Sequence, residues 1–411
     1  MNPGRIRSAL FTPIGIAHLV FFRVAFGAAM LVEVCRYFAH GWIARDFIEP
    51  RFFFTYYGFD WVRPWAGRGM YAHFALLGLF AFCILIGFRY RLAVALFFLG
   101  FTYVFLLDAT RYLNHFYLIA LLSFLMIFVP AEGKYSVDAL IDPSVRADAA
   151  PAWTLWLLRA QIAIPYFYGG LAKLSGDWLR GEPMRMWLGL TNEWLVYAFV
   201  IGGILVDLLI VPALLWRKTR VFALIVAAVF HLANARLFHI GIFPWLMLAA
   251  TLLFLPARVM GPPAEAAGAT QWLLGTYLLV QLLVPLRHFL YPGDVSWTEE
   301  GHKFAWQMKL RDKEAEAMFF VTDRRTGKME LVDPRSTLTE LQRAKMAGDP
   351  DMILQFAHWL GGDTKAVHAH VLASLNGRKP QLLIDPDVDL TRERRGFGHA
   401  TWILPLTEPL R

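Results

Sequence analysis

Charge is scarce in this chain, and the scarcity is regional. Asp, Glu, Lys and Arg make up 18% of the 411 residues, against about 25% in an ordinary soluble domain. Cysteine is nearly absent. Cys35 and Cys83 are the only two, and both lie inside apolar runs. They form neither a disulfide framework nor a CxxC metal motif, and the default reading of each is a buried small apolar residue. Also missing are an HExxH pair, a CxxCH, a phosphate-cradling glycine loop and a GxSxG elbow. Nothing in the sequence asks for a metal. No internal repeat or low-complexity segment stands out.

Apolar residues are abundant instead, at 57%. From Ile14 to Leu290 charges sit in short clusters between long apolar runs, and after Pro292 they become dense. The shift marks two environments, lipid and then water. It falls in the turn-forming run Leu290-Tyr291-Pro292-Gly293-Asp294, which divides residues 1–290 from 291–411. A membrane-crossing helix needs about 20 apolar residues. Nine runs qualify as candidates: 15–38, 70–87, 92–108, 112–130, 153–174, 194–216, 219–237, 240–256 and 270–290. The expected fold is therefore an α-helical polytopic membrane protein with about nine transmembrane helices and a small C-terminal α+β soluble domain.

The net charge of +8 is read as Lys and Arg flanking membrane helices, not as a nucleic-acid surface. Arg5, Arg7, Arg89, Arg91, Lys134, Arg146, Arg217, Lys218, Arg220 and Arg258 fall in short loops on one side. That side is expected to be cytoplasmic, with an inside N-terminus and the C-terminal domain outside. Arg23, Glu33 and Arg36 interrupt the first run, which reads as a retained helix and not as a cleaved signal peptide. The loop 39–69 is rich in aromatics, including Trp42, Phe52–Phe54, Tyr56, Tyr57, Trp61 and Trp65. It is expected to lie in the membrane interface as a helix or hairpin. The region 219–256, with Arg236, His239 and Gly241 in mid-run, reads as two short helices or one broken re-entrant element.

In the soluble part, Phe304, Trp306 and Met308 alternate with polar residues, as do Met318, Phe320 and Thr322, so both stretches read as strands separated from the rest by a turn at 323–327. Residues 337–360 read as helical, with Thr337 as cap and Pro350 starting a second turn of helix. Leu382–Ile384 reads as a further strand.

Ionisable groups at membrane depth are costly and face a bundle interior or a polar cavity. They comprise Arg23, Glu33, Asn114, His115, Lys173, His231, Asn234, Arg236, His239 and His288. Each has a structural reading: Glu33 pairs with Arg36 three residues on, Lys173 snorkels from a helix end, and a lone histidine is a satisfied core residue. A shared polar cavity explains the histidines and the lysine together.

Several blocks, read in order, resemble the vitamin K-dependent γ-glutamyl carboxylase family, including bacterial homologues with the horizontally transferred transmembrane domain. They are Phe22–Gly27, Asp46–Asp60, Tyr112-Leu113-Asn114-His115-Phe116-Tyr117, Tyr166–Leu174 followed by Asp177-Trp178, Phe230–Asn234 through Phe243-Pro244-Trp245, Tyr291–Trp306 and Pro350–His358. The resemblance implies an enzyme of the bacterial inner membrane. In that family a reduced vitamin K hydroquinone is deprotonated and reacts with O2. The base so formed removes the γ-proton of a peptide glutamate, CO2 is captured, and the quinone leaves as its epoxide. Carried over by position, Lys173 matches the base that ionises the hydroquinone. His115, beside Asn114, matches a histidine that orients the reacting species, and His231 with Asn234 matches a pocket position. His288, Trp297, Trp306 and Met308 fall in the stretch that closes the site, where His302 stands for a family tyrosine. Implied partners are the quinone, a glutamate-containing peptide and the lipid bilayer, with no nucleic acid.

The chain departs from the family in three ways. Ala172-Lys173 stands where carboxylases carry two lysines, the propeptide-gripping region of animal enzymes is short here, and no disulfide pair exists. Quinone epoxidation without peptide carboxylation is the alternative that follows. A different redox or lipid-modifying enzyme on the same helices and a transporter or assembly factor complete the readings the residues leave open.

Overall fold

The computed structural model describes residues 8–189, 191–238, 240–263 and 268–410. His239 and the Arg5 and Arg7 cluster fall outside them. The chain begins with a short strand β1 (Pro13–Gly15), then α1 (Ala17–Ala39), α2 (Trp42–Phe47), α3 (Gly69–Ile86), α4 (Tyr90–Leu107), α5 (Asn114–Met126) and α6 (Val137–Ile141). Strand β2 (Ala149–Pro151) pairs antiparallel with β1 and leads into α7 (Ala152–Ala172). Next come α8 (Gly176–Leu179), α9 (Met184–Leu188), α10 (Glu193–Leu215), α11 (Arg220–Leu237), α12 (Phe243–Thr251) and α13 (Gly268–Leu283). A 3-10 turn extends α13 to Leu290.

All nine apolar runs carry a helix. Six of these helices, α1, α3, α4, α10, α11 and α13 with its 3-10 extension, are long and apolar enough to cross a membrane. The 21 residues of α7 reach about 31 Å. The helix of the fourth run has only 13 residues, and α12 with its 3-10 end is similarly short. Each spans about 20 Å, less than the ~30 Å of hydrocarbon, so neither crosses alone. In the stretch left open by the sequence, α11 ends at Leu237 and α12 starts at Phe243, and Gly241 turns the chain between them with φ +61°. They are two separate helices, and α12 packs on both α11 and α1.

The apolar stripe of α1 faces inward through Phe22, Phe26, Met30 and Val34, the 3.6-residue spacing of one helix face. Gly27 sits where a Cβ would come within 2.5 Å of the Leu85 amide, so only glycine lets α1 and α3 cross this closely. Arg23 is fully buried and donates to the carbonyls of Ala131 (2.9 Å) and Lys134 (3.4 Å). Its charge ties down the turn after α5. Glu33 and Arg36 pair at 2.6 Å, as their spacing predicts. Cys35 differs from expectation: it is exposed on the outer face of α1.

The C-terminal part holds α14 (Val295–Thr298), β3 (Lys313–Asp323), β4 (Met329–Val332), α15 (Glu340–Ala347), α16 (Pro350–Gly361), β5 (Lys365–Leu375) and β6 (Gln381–Leu382). The antiparallel sheet runs β4-β3-β5-β6. Its inner face, Phe319, Val321, Val367, Ala369 and Val371, packs on Ile353 and Phe356 of α16. Met318 is exposed and Phe319 and Val321 are the inward residues, one register step from the alternation read in the sequence. The stretch 304–308 is not a strand. It is irregular, because its aromatic residues are held by the helical part and not by a sheet. Thr339, not Thr337, caps α15, in a capping box with Gln342.

The aromatic loop after α2 also differs. Its first half docks under the soluble part, where Phe54 and Tyr56 join the core around Phe356 and Trp297. Gln355 accepts from the Thr55 amide at 2.8 Å and donates back to the Thr55 carbonyl at 3.2 Å. Tyr57, Phe59, Trp61 and Trp65 stay exposed.

Candidate functional site

Lys173 follows the last turn of α7, where its amide donates to the Gly169 carbonyl. Two glycines set what lies opposite. A Cβ on Gly170 would fall 2.5 Å from Leu208 Cδ2, and one on Gly169 would fall 3.3 Å from Asp207 Oδ2 and 2.9 Å from Met308 Cε. Their absence of side chains brings α10 against α7 and places the Asp207 carboxylate on the Lys173 ammonium. Both residues are buried, at 7% and 5% exposure, and the ammonium also lies 5.3 Å from the Trp178 ring centroid. A buried charge without its partner is costly, so the pair forms one unit.

The pair faces a cavity of about 430 Å³ between α7, α10, α11 and α12, walled mainly by apolar side chains such as Ile225, Val229, Phe230 and Met247. His231 and Asn234, one turn apart on α11, line it, as do Met308 and Lys309 from the soluble part. The His231 Nε2 lies 2.5 Å from the Tyr166 hydroxyl. Its Nδ1 is buried without a hydrogen-bond partner. Groups of that kind are rare in folded proteins, and His231 carries one on a residue of the cavity lining.

The other residues singled out by sequence occupy a second layer. His115 starts α5 and packs on Phe243, with ring centroids 5.6 Å apart; Phe243 also meets His231, at 6.2 Å. Phe243 lines the cavity, and His115 is not part of that lining. Asn114 accepts from the Tyr112 hydroxyl at 2.9 Å and donates to the Gln307 carbonyl at 3.2 Å. The Gln307 amide reaches His288 Nε2 at 3.5 Å. Trp306 is buried in the helical core against Tyr117. So the segment 304–309 descends from the soluble part into the helices, pinned by the Tyr112 hydroxyl, which accepts from the Phe304 amide at 2.7 Å.

Two residues lie elsewhere. Trp297 is in the core of the soluble part and donates to the Leu404 carbonyl at 2.7 Å. His302 sits in a charged cluster 3.6 Å from Glu299. Burial first, and then the cations Arg311, Lys303, Lys313 and Lys345, hold its imidazole well below the usual histidine range. Burial likewise brings the neighbouring Lys313 amine down to about 8. Outside the membrane helices, Arg378 of the soluble part grips Asp177 with two bonds of 2.6 and 2.7 Å, joining the turn after Lys173 to the sheet.

The residue that sequence reasoning missed is Asp207. Its signal was legible: it is the one charged residue inside the apolar run that follows Glu193, and a lone carboxylate at membrane depth calls for a partner.

Comparison with known proteins agrees with this architecture. No solved structure matches the chain. Residues 11–258 match the family described as HTTM domain, and residues 267–409 match the one described as vitamin K-dependent gamma-carboxylase, lumenal domain. Two adjoining matches that leave little of the chain uncovered place this membrane protein in the vitamin K-dependent gamma-carboxylase family, with an HTTM domain as its helical part.

Proposed function

We propose that the chain is a membrane enzyme that couples O2-dependent epoxidation of a vitamin K-type hydroquinone to γ-carboxylation of a peptide glutamate. The observation that carries this reading is the Lys173–Asp207 pair, buried on the wall of an apolar cavity beside a histidine nitrogen with no partner. A flat bicyclic ring suits the apolar walls, and its hydroxyls suit the polar groups of Lys173, His231 and Asn234.

When bound, the hydroquinone supplies with O2 the strong base that a glutamate γ-proton requires, since side-chain bases tuned near neutral pH are too weak for that proton. The chain's own task is smaller. Lys173 Nζ, after its ammonium has released a proton to water, takes a hydroxyl proton as the neutral amine, which restores the ammonium that Asp207 aims and balances. The Tyr166 hydroxyl fixes the His231 ring through Nε2, which leaves Nδ1 to orient the ligand. Trp178, Met247 and Met308 cover the pair and limit water, which would otherwise quench a strong base. Among the residues first read as site residues, His231, Asn234 and Met308 are assigned direct contact. His115, Asn114, His288 and Trp306 shape the cavity from behind, and Trp297 and His302 support the fold of the soluble part.

We place the soluble part outside the cytoplasm, in a bacterial plasma membrane. The basic short loops support the inside assignment of the opposite face, and the family description of residues 267–409 as a lumenal domain agrees with it.

The test supplies reduced vitamin K, oxygen, labelled bicarbonate and a short glutamyl peptide to the purified protein and to Lys173→Ala. Epoxide and fixed label in wild type only are the expected result. Epoxide without label means a quinone oxygenase. Neither product from folded wild type overturns the reading.

A further inference from the structure

The lining of the cavity carries an unbalanced charge. Its ionised groups are Lys173, Asp207 and Lys309. Lys173 and Asp207 cancel each other, so Lys309 is left over. Among the described residues it has no carboxylate within ion-pair distance, whereas its neighbours are paired: Lys303 with Asp349 at 2.6 Å, Lys313 with Glu299 at 3.4 Å, and Arg311 with Glu299. Asp312 acts on Lys309 only from a longer range.

Lys309 is exposed at the cavity rim. Its ammonium lies 4.9 Å from the Trp187 ring centroid and 5.0 Å from that of Phe238, a slot with two aromatic walls. The backbone that puts it there is unusual. Lys309 has φ +51°, and Glu299, Phe304 and Trp306 in the same segment also have positive φ. Non-glycine residues in that region are uncommon and persist where surrounding structure holds them, often at functional sites. Here the Tyr112 and Asn114 side chains do the holding.

We propose that Lys309 selects ligand charge at the mouth of this cavity, its ammonium beside Trp187 and Phe238 taking the side-chain carboxylate of an acidic peptide. The identity of the peptide rests on the function proposed above; the charge preference does not. A single uncompensated cation at the rim of a low-dielectric cleft focuses potential on one monoanion. The soluble part delivers Lys309, and the rim is clamped to that part through Asp177 and Arg378, so the aqueous side is where the ligand arrives. An anionic lipid headgroup shares the chemistry, and the experiment separates the two sources.

The experiment measures equilibrium binding of an N-acetyl glutamyl peptide and of its glutaminyl counterpart to the full-length protein in nanodiscs of neutral lipid. Wild type is expected to favour the glutamyl peptide by about tenfold or more, the scale of one charge-assisted hydrogen bond. Lys309→Gln should erase the preference, and Lys309→Arg should keep most of it. Retention of the preference in folded Lys309→Gln overturns the proposal. So does loss of glutamyl binding when wild type is moved into anionic lipid, which makes the site one for headgroups. Epoxide formation, read in parallel, separates the two claims. A Lys309-dependent preference without turnover sinks the reaction and leaves this assignment standing; turnover with a preference indifferent to Lys309 does the reverse.

Discussion

The Lys173 ammonium and the Asp207 carboxylate meet between α7 and α10, each more than nine-tenths buried. Neither charge has another ionic partner among the described residues, so the two stand or fall together.

Removing one member should therefore unbalance the other. Asp207→Leu is expected to destabilise the folded protein by roughly 3–5 kcal/mol, and the double variant Lys173→Met with Asp207→Leu by far less. Thermal unfolding in detergent reads the difference. Both variants should lack epoxide formation, and an active double variant would show that the pair has no chemical role.

Gly170 lets Leu208 and Asp207 approach. Gly170→Ala puts a methyl 2.5 Å from Leu208 Cδ2 and 3.2 Å from Asp207 Cβ, an overlap relieved by moving those side chains or α10 at a cost of about 1–3 kcal/mol. Turnover should fall more than stability does, since the shift moves Asp207 away from Lys173. Wild-type turnover in Gly170→Ala would mean that the spacing of α7 and α10 is not critical.

His302 sets a pH dependence. Its folded pKa lies well below the ordinary value, so between that depressed value and about 6.5 the unfolded chain binds the extra proton. Stability is then full above about pH 6.5 and falls as pH drops through that window. His302→Gln should flatten this acid limb in unfolding scans from pH 7 to pH 5. An unchanged slope would assign the limb to other groups.

How much of this was legible beforehand varies by element. The long helices announced themselves through apolar run length, because lipid leaves the backbone few alternatives to a helix. Run length overstated the helices at 112–130 and 240–256, where the regular helix covers only Asn114–Met126 and Phe243–Phe254. Strand β5 escaped notice because two of its inward positions are alanine, Ala369 and Ala373, which weakens the alternation. Trp306 and Met308 looked like strand residues since alternation does not say what the alternate residues face; here one faces the helical core and the other a cavity.

Lys173 and His231 were recognisable as buried polar residues, yet their partners were not. Lys173 and Asp207 are 34 residues apart, and His231 is 65 from Tyr166. Composition and periodicity alone determined that the chain has a lipid-facing helical part and a wetter C-terminal part, because those properties depend on each segment's own free energy of transfer. Tertiary structure decided which polar groups share a cavity and which are left with an unpaired charge or nitrogen, because that depends on how closely helices approach, and two glycines on α7 set that distance.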